Sequence, residues 1–301
     1  MAQAESAVPF TTVGEALRWA ADRLRGEVGH PQLEAELLLA HVLHRTRVAL
    51  LAHPEAMLDP PHTQHFRDLV ACRVVGTPLP YIRGHVEFFG LDFLVTPDVL
   101  IPRPETEHLV ELALDRVQQH APRVVVDVGT GSGCIAVSLA ARAPALRIIA
   151  TDISGAALSV ARANAVRHDV AKRLDWVQCD LLEPFAGPLD LILSNPPYVA
   201  TPDWSVLPVS VRHEPRRALL AGPEGLDAIA RLLTQAAERL APDGSLFVEI
   251  GEQQGDAARA LARAAFSRCL RTDNDVLSIT VYPDLSGRDR VLAVSLNPPS
   301  G

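Results

Sequence analysis

The sequence predicts an α/β fold, a mostly parallel sheet with helices on both faces, preceded by a small helical domain. Three observations carry that prediction. No strand pattern appears before residue 86, whereas apolar positions recur at helical spacing from residue 12 onward. From Arg123, short apolar runs alternate with helical stretches, the mark of a parallel sheet buried on both faces. The first of those runs ends in a glycine-rich turn, Asp127-Val128-Gly129-Thr130-Gly131-Ser132-Gly133, where a strand meets a helix.

Taken in order, residues 1–10 read as a loose tail. Thr12-Val13-Gly14-Glu15 fits a capping box, and Ala16, Leu17, Ala20 and Leu24 continue at helical spacing. A second helix opens near Pro31, a residue suited to a first turn, and runs through Leu33, Leu37, Leu38 and Leu39 to about His44. A third opens near Pro61 and carries Phe66, Leu69, Val70 and Val74. Together they define a helical domain at residues 1–82. A Pro-rich join follows at 77–81, and residues 86–95 read as a hairpin of two short aromatic strands around Gly90, so 83–100 link the helical domain to a second domain at 101–301. Pro104 opens a helix to about Gln119 whose first turn holds Glu105 and Glu107, favourable at its positive end.

The sheet then begins. Strands are predicted at 124–128, 146–151, 176–179 and 189–193, with helices at 135–141 and 156–167. Leu226, Ile229, Leu232, Leu233, Ala236 and Leu240 form a helical stripe, and the turn Ala241-Pro242-Asp243-Gly244 leads into a strand at 245–250. A helix at about 253–266 and strands near 276–281 and 290–296 complete the pattern.

Composition narrows the class. With 301 residues the chain has room for one large or two ordinary domains, and 48% apolar content argues against global disorder. No run approaches the roughly 18 uninterrupted apolar residues of a membrane span, and the polar, acidic N-terminus does not resemble a signal peptide. Cys72, Cys134, Cys179 and Cys269 lie far apart without a CxxC pair, as in reduced proteins, so a cytoplasmic location is expected. Cys134 reads as a small core residue. His41 with His44, and His62 with His65, stand one helical turn apart; neither pair has a carboxylate or cysteine at matching spacing, which favours surface histidines over a metal site. A net charge of −8 weighs against a general nucleic-acid binder.

Two motifs carry chemistry. In the glycine-rich turn, glycines permit a tight bend and close approach of backbone to a ligand, and Asp152 follows at the end of the next strand, placed to accept from a ribose diol. This Rossmann-like arrangement is strong for an adenosine-bearing cofactor. Gly129, Gly131 and Gly133 give G-x-G-x-G, and Cys134 stands where the dinucleotide fingerprint needs a glycine, which favours S-adenosylmethionine over NAD. Thr130 and Ser132 complete the loop, Asp180 at the end of strand three is placed to accept from the adenine amino group, and Leu181 offers an apolar face beside it. On the plainer reading, Asp127 and Asp180 cap a loop and a turn.

The second motif is Ser194-Asn195-Pro196-Pro197-Tyr198, at the end of strand four. Each proline fixes φ near −65° and lacks an N–H, so the strand stops and Asn195 and Pro196 are pushed to extended conformations. A stiff segment with unpaired carbonyls, a side-chain amide and an aromatic ring can accept both N–H bonds of a planar NH2 group and cover its face. Ligands of open parallel sheets bind beyond the carboxyl ends of the strands, so this segment faces the cofactor's methyl group, with Asn195 touching both cofactor and substrate.

At these residues the chain resembles the Asn-Pro-Pro-Tyr class of amino methyltransferases, and more closely the release-factor glutamine methyltransferase family, the protein-(glutamine-N5) methyltransferases. The likeness spans the leucine-rich helical region, Ile101-Pro102-Arg103-Pro104-Glu105-Thr106-Glu107, the Gly loop, Asn195 to Tyr198, Glu214-Pro215 with Ala218-Leu219, and Gly287-Arg288-Asp289-Arg290. It implies an S-adenosylmethionine-dependent catalytic domain that methylates the glutamine of the Gly-Gly-Gln loop in class I peptide chain release factors, with the helical domain docking that substrate. It further implies that Asn195 and the Pro196 carbonyl hold the glutamine NH2, that Tyr198 packs on the amide and that Pro197 gives stiffness. Some relatives carry an aromatic residue where this chain has Leu181, so a stacking contribution to adenine is lost. Arg103 and Glu105 line the cofactor entrance on one reading, and Glu105 serves only the helix terminus on another. Competing functions are methylation of a ribosomal-protein glutamine, methylation of an exocyclic amine in RNA or DNA, an NAD-dependent oxidoreductase, which leaves Asn195 to Tyr198 unexplained, and a translation-factor binding module with a vestigial site.

Overall fold

The computed structural model describes residues 10–267 and 276–296, and the chain divides into two compact units, Met1–Gly84 with Val209–His213, and His85–Pro208 with Glu214–Gly301. Cys269, and the tail up to residue 9, lie outside the described residues.

The first unit is helical. It holds α1 (Val13–Leu24), α2 (Pro31–Leu43), α3 (Arg47–Ala52), α4 (Pro60–Val74) and α5 (Leu79–Arg83). Thr12 and Glu15 close the capping box: the Glu15 N–H donates to Thr12 Oγ1 at 3.3 Å and the Thr12 N–H donates to Glu15 Oε2 at 3.2 Å. Ala16, Leu17, Ala20 and Leu24 of α1 bury against Leu38 and Leu39 of α2 and Phe66 and Val70 of α4. Two of these five helices escape the sequence reading. The six-residue α3 is too short for periodicity and is announced only by its cap, Thr46. The short α5 occupies the stretch read as a Pro-rich join; Pro80 sits in its first turn, where the missing N–H has no helical acceptor to lose. A carboxylate does stand beside His62, contrary to the spacing argument: Asp59 caps α4 and its Oδ1 lies 2.8 Å from the His62 ring.

The second unit opens with an antiparallel pair, β1 (His85–Phe88) and β2 (Leu91–Leu94), around Gly90. Then comes α6 (Thr106–His120), which starts two residues beyond Pro104. Glu107 in its first turn accepts the Phe89 N–H at 2.8 Å, so that acid secures the hairpin as well as serving the helix end. The sheet contains β3 (Val125–Val128), β4 (Ile148–Asp152), β5 (Leu174–Gln178), β6 (Leu189–Ser194), β7 (Leu240–Glu249), β8 (Leu277–Pro283) and β9 (Asp289–Leu296), in the order β5-β4-β3-β6-β7-β9-β8. The first five in that order run parallel, and β9 and β8 join antiparallel. Helices α7 (Cys134–Arg142), α8 (Gly155–Arg167), α10 (Asp227–Arg239) and α11 (Gly255–Phe266) complete this unit, while α9 (Val209–Arg212) groups with the first. Both sheet faces are covered. Val125 packs in one core with Leu109 of α6 and Leu139 of α7, and Val126 and Val128 pack in the other with Leu232 of α10 and Phe266 of α11. The predicted turn at 241–244 appears as an irregularity inside β7, where the partners shift from Leu189–Leu240 to Leu191–Ser245.

Topology places the site. The chain moves from β3 to β4 on one side and returns to β6 on the other, so the crevice at the carboxyl end of β3 is the switch point of the sheet. Ser194 pairs with Val128 and with Val248. Gly129, Asn195 and Glu249 therefore lie one residue beyond three mutually paired positions on neighbouring strands.

Candidate active site

A cavity of about 400 Å³ opens at that switch point, within the range of roughly 300–1,000 Å³ typical of small-molecule sites. Of the predicted site residues, Gly129, Thr130, Gly131, Ser132, Asp152, Asp180, Leu181, Asn195 and Pro197 line it, while Gly133, Pro196 and Tyr198 do not. Gly129 and Gly131 have φ of +72° and +57°, and a Cβ at Gly129 would meet nothing within 4 Å. The loop thus turns as only glycine does without strain, and leaves its backbone open to a ligand. Gly133 serves packing instead. It precedes α7, and a Cβ there would stand 3.1 Å from the Ala161 methyl of α8, so it lets the two helices pack closely.

Asp152 both holds and lines the cavity. Its Oδ2 accepts the Gly131 N–H at 2.9 Å and its Oδ1 accepts the Ser154 N–H at 2.9 Å, so one carboxylate ties the glycine loop to the strand beside it. Burial raises its pKa, against the lowering by those amides and by Arg217. Asp127 is fully buried and accepts from Thr130 Oγ1 at 2.6 Å and the Ala136 N–H at 3.2 Å, which makes it the cap of the loop. Burial pushes its carboxyl up to about 7. Asp180 stands two residues beyond the end of β5, not at its end, and its Oδ2 accepts from Arg231 Nη2 at 2.6 Å. Leu181 has a φ of +51°, a conformation uncommon for a residue with a side chain. Ile153, the residue after Asp152, lines the cavity and is 53% exposed, an apolar face on which a ring can lie.

At the other end, the Asn-Pro-Pro-Tyr segment is fixed by distant residues. Asn195 Nδ2 donates to Thr106 Oγ1 at 3.0 Å, and Thr106 Oγ1 donates to Glu249 Oε2 at 2.6 Å. Asn195 Oδ1 is buried and has no partner. Tyr198 packs against the core under α10 and α11, and its hydroxyl donates to Glu249 Oε1 at 3.4 Å. Burial and the nearby Glu249 raise the phenol's pKa. Glu249 is wholly buried, and that burial pushes its carboxyl up to about 7 against the opposing pull of Thr106 and Arg290. The Tyr198 carbonyl accepts from Gln254 Nε2 at 3.0 Å, and the backbone after it joins the 219–222 segment through Val199 N–H to Leu219 O and Ala221 N–H to Val199 O.

Arg103 and Glu105 are absent from the cavity wall, which takes Pro102 and Thr106 from that segment. Arg103 is bound instead to Glu214 Oε1, whose other oxygen accepts the Ile101 N–H at 3.0 Å, so the buried Glu214 anchors the loop before α6. Glu105 makes no capping hydrogen bond at the start of α6. Thr106, Glu249, Gln254, Ile153 and Arg231 were not singled out by sequence as site residues. Two of them left a local trace: Thr106 stands within the Ile101–Glu107 motif, and Glu249 is an acid inside the apolar run Leu246-Phe247-Val248-Glu249-Ile250.

A sheet of this order, with its ligand cavity at the switch strand and a glycine loop facing a strand-end carboxylate, defines the Rossmann-like methyltransferase class. Residues 106–207 match the family model for the methyltransferase small domain, and residues 15–84 match that for the PrmC N-terminal domain. The catalytic domain of hMettl16, solved in complex with MAT2A 3′UTR hairpin 6, shares the fold at a TM-score of 0.51 and 20% identity, covering 76% of this chain and 82% of that one. The release factor glutamine methyltransferase of Moorella thermoacetica is 46% identical over 281 residues, which cover 93% of this chain and 96% of that protein. Its counterpart in Bordetella pertussis is 44% identical over 259 residues, 85% of this chain and 95% of that one. The chain belongs to the release factor glutamine methyltransferase family, and it is a methyltransferase.

Proposed function

We propose that this enzyme transfers a methyl group from S-adenosylmethionine to the side-chain amide nitrogen of the glutamine in the Gly-Gly-Gln loop of class I peptide chain release factors, in the cytoplasm. The observation that carries the reading is the buried, unpartnered Asn195 Oδ1 beside a cavity with an open glycine loop and Asp152. An unsatisfied buried acceptor costs about 1–3 kcal/mol, and an N–H of a bound amide relieves that cost. The residues present fit the cofactor. Gly129 and Gly131 leave room for close approach, Asp152 supplies an acceptor for a ribose diol, and Ile153 and Leu181 offer apolar faces for adenine. When bound, S-adenosylmethionine supplies an electrophilic methyl group on a sulfonium.

The protein's part is to make a poor nucleophile attack in line. An amide nitrogen shares its lone pair with the carbonyl, a resonance that underlies a rotation barrier of about 18–20 kcal/mol. Asn195 Oδ1 and the Pro196 carbonyl accept its two N–H bonds, raise electron density on nitrogen and fix its direction. Pro196 and Pro197 keep the segment stiff because neither can be drawn into a ladder. Tyr198 is held by Glu249 and Gln254 at the mouth of the clamp. Positioning of this kind accounts for up to about 7–11 kcal/mol of a barrier, and no side-chain base is required before attack, because the nitrogen becomes acidic only on methylation. The helical unit docks the protein substrate.

The test is transfer of label from S-adenosylmethionine to a purified release factor and to its Gly-Gly-Gln variant with glutamine replaced by alanine. Label goes to the first and not to the second; label that persists on the variant refutes the substrate assignment. Asn195→Ala retains cofactor binding and loses turnover by about 100-fold or more; undiminished turnover removes Asn195 from the clamp.

A further inference from the structure

Asn195 can present either face of its amide to a ligand, and the two faces have opposite hydrogen-bonding character. A glutamine NH2 needs an acceptor. If the side chain turned over, its own NH2 would meet the substrate NH2, donor against donor. Nothing on the Asn-Pro-Pro-Tyr segment itself chooses between the two orientations, since the prolines constrain only the backbone.

The choice is made by two side chains from elsewhere in the unit. Thr106 opens α6, 89 residues before Asn195, and Glu249 ends β7, 143 residues after Thr106. Both are wholly buried, at 1% and 0% exposure, and neither can exchange its partner for water. A threonine hydroxyl has one proton. With the carboxylate of Glu249, an acceptor only, 2.6 Å from Thr106 Oγ1, that proton is committed to Glu249. Thr106 can then only accept from Asn195, and Nδ2 is the atom that faces it, at 3.0 Å. Oδ1 is left as the unpartnered atom of the amide.

We propose that Thr106 and Glu249 are positioning residues that set the polarity of the Asn195 amide, so that Oδ1 and not Nδ2 is offered to the substrate nitrogen. The inference rests on the clamp reading of Asn195. It gives the buried carboxyl a role that needs neither contact with substrate nor proton transfer. Protonating Glu249 undoes the device: a protonated carboxyl can donate to Thr106 Oγ1, which frees the threonine proton for Asn195 and lets the amide turn over. The charged and titratable groups that face Glu249 are Tyr198 after β6, Arg290 on β9, Glu105 before α6 and Cys134 on α7.

The full-length enzyme, labelled S-adenosylmethionine and a purified release factor test this directly. Thr106→Val keeps shape and removes the hydroxyl; its kcat falls about 10- to 100-fold, the scale of a misplaced reacting group, while cofactor affinity by calorimetry stays within about threefold. Thr106→Ser restores kcat to within about fivefold. Wild-type kcat falls as pH is lowered through the ionisation of Glu249, and Thr106→Val loses that fall because the relay is already broken. Thr106→Val with wild-type kcat overturns the proposal, as does a serine variant no better than valine, or a pH fall that survives in Thr106→Val. Asn195→Ala is run beside them. If it turns over normally, the clamp reading itself fails; if it is inactive while Thr106→Val is normal, the relay alone fails.

Discussion

Gly225 lies far from Asn195 in sequence, yet Gly225→Ala disables the proposed clamp. Its φ is +72°, and a side chain there costs about 1–2 kcal/mol in the left-handed region. The added Cβ would run into the Tyr198 carbonyl oxygen, with Gln254 Nε2 at 2.9 Å and Ala200 N at 3.0 Å. Two of these are backbone atoms, so a side-chain rotation cannot relieve the clash. Gln254 Nε2 donates to both the Tyr198 carbonyl (3.0 Å) and the Gly225 carbonyl (3.1 Å), and the Gln254 Oε1 accepts the Gly251 N–H at 2.9 Å. Displacing Tyr198 breaks at least one such bond and leaves a carbonyl unpaired, a further loss of about 1–3 kcal/mol. The sum, about 2–5 kcal/mol, is tolerable for a fold with about 5–15 kcal/mol in hand, so the variant folds with a lower urea midpoint. A shift of about 1 Å in the clamp costs on the order of 100-fold in rate. Cofactor affinity changes little, because Gly129, Gly131 and Asp152 sit on β3 and β4 and their loops. Urea unfolding, kcat and cofactor titration on one preparation separate these effects. A Gly225→Ala enzyme with wild-type midpoint and kcat refutes the claim that Tyr198 is held by this contact.

Asp152→Ala removes the proposed ribose acceptor and leaves the Gly131 and Ser154 amides unpaired, so calorimetry shows cofactor affinity weakened by about 10-fold or more; unchanged affinity contradicts both roles. The carboxyl of Asp127 is pushed from 3.8 up to about 7, and that of Glu249 from 4.5 up to about 7, so between these limits the folded chain binds more protons than the unfolded one. Stability of the cofactor-free protein then falls as pH rises from about 4 through about 7. Urea midpoints at pH 5 and pH 8 check the sign, and Asp127→Asn shallows the slope; a midpoint that rises over this range refutes it.

What could be read from the chain alone was whatever has a local cause. The capping box at Thr12 and Glu15 acts across three residues, the hairpin turns on Gly90, β3 and β6 show as short apolar runs, and α10 shows as a helical stripe. The glycine loop and Asp152 were legible because a strand, a turn and the next strand's end recur at fixed separation. The placement of an amide at the cavity was legible too, because Asn195 follows directly on the end of β6. Direction was not. The orientation of the Asn195 amide depends on Thr106 and Glu249, and the tie on Tyr198 depends on Gln254, 56 residues on. Asp180 shows the same limit from the other side, since its engagement with Arg231 reaches 51 residues to a helix that reads, locally, as an ordinary amphipathic stripe. The contacts of Asn195 and Tyr198 exist because β6 lies between β3 and β7, with Ser194 level with Val128 and Val248. Strand order is a tertiary fact that no window of sequence contains. A single slip of β6 against β7 would part Asn195 from the level of Glu249 while leaving every motif intact. The proposed clamp is therefore a property of sheet register as much as of the four residues that name it, and on that reading a variant that alters register without touching the motif is as damaging as one that deletes Asn195.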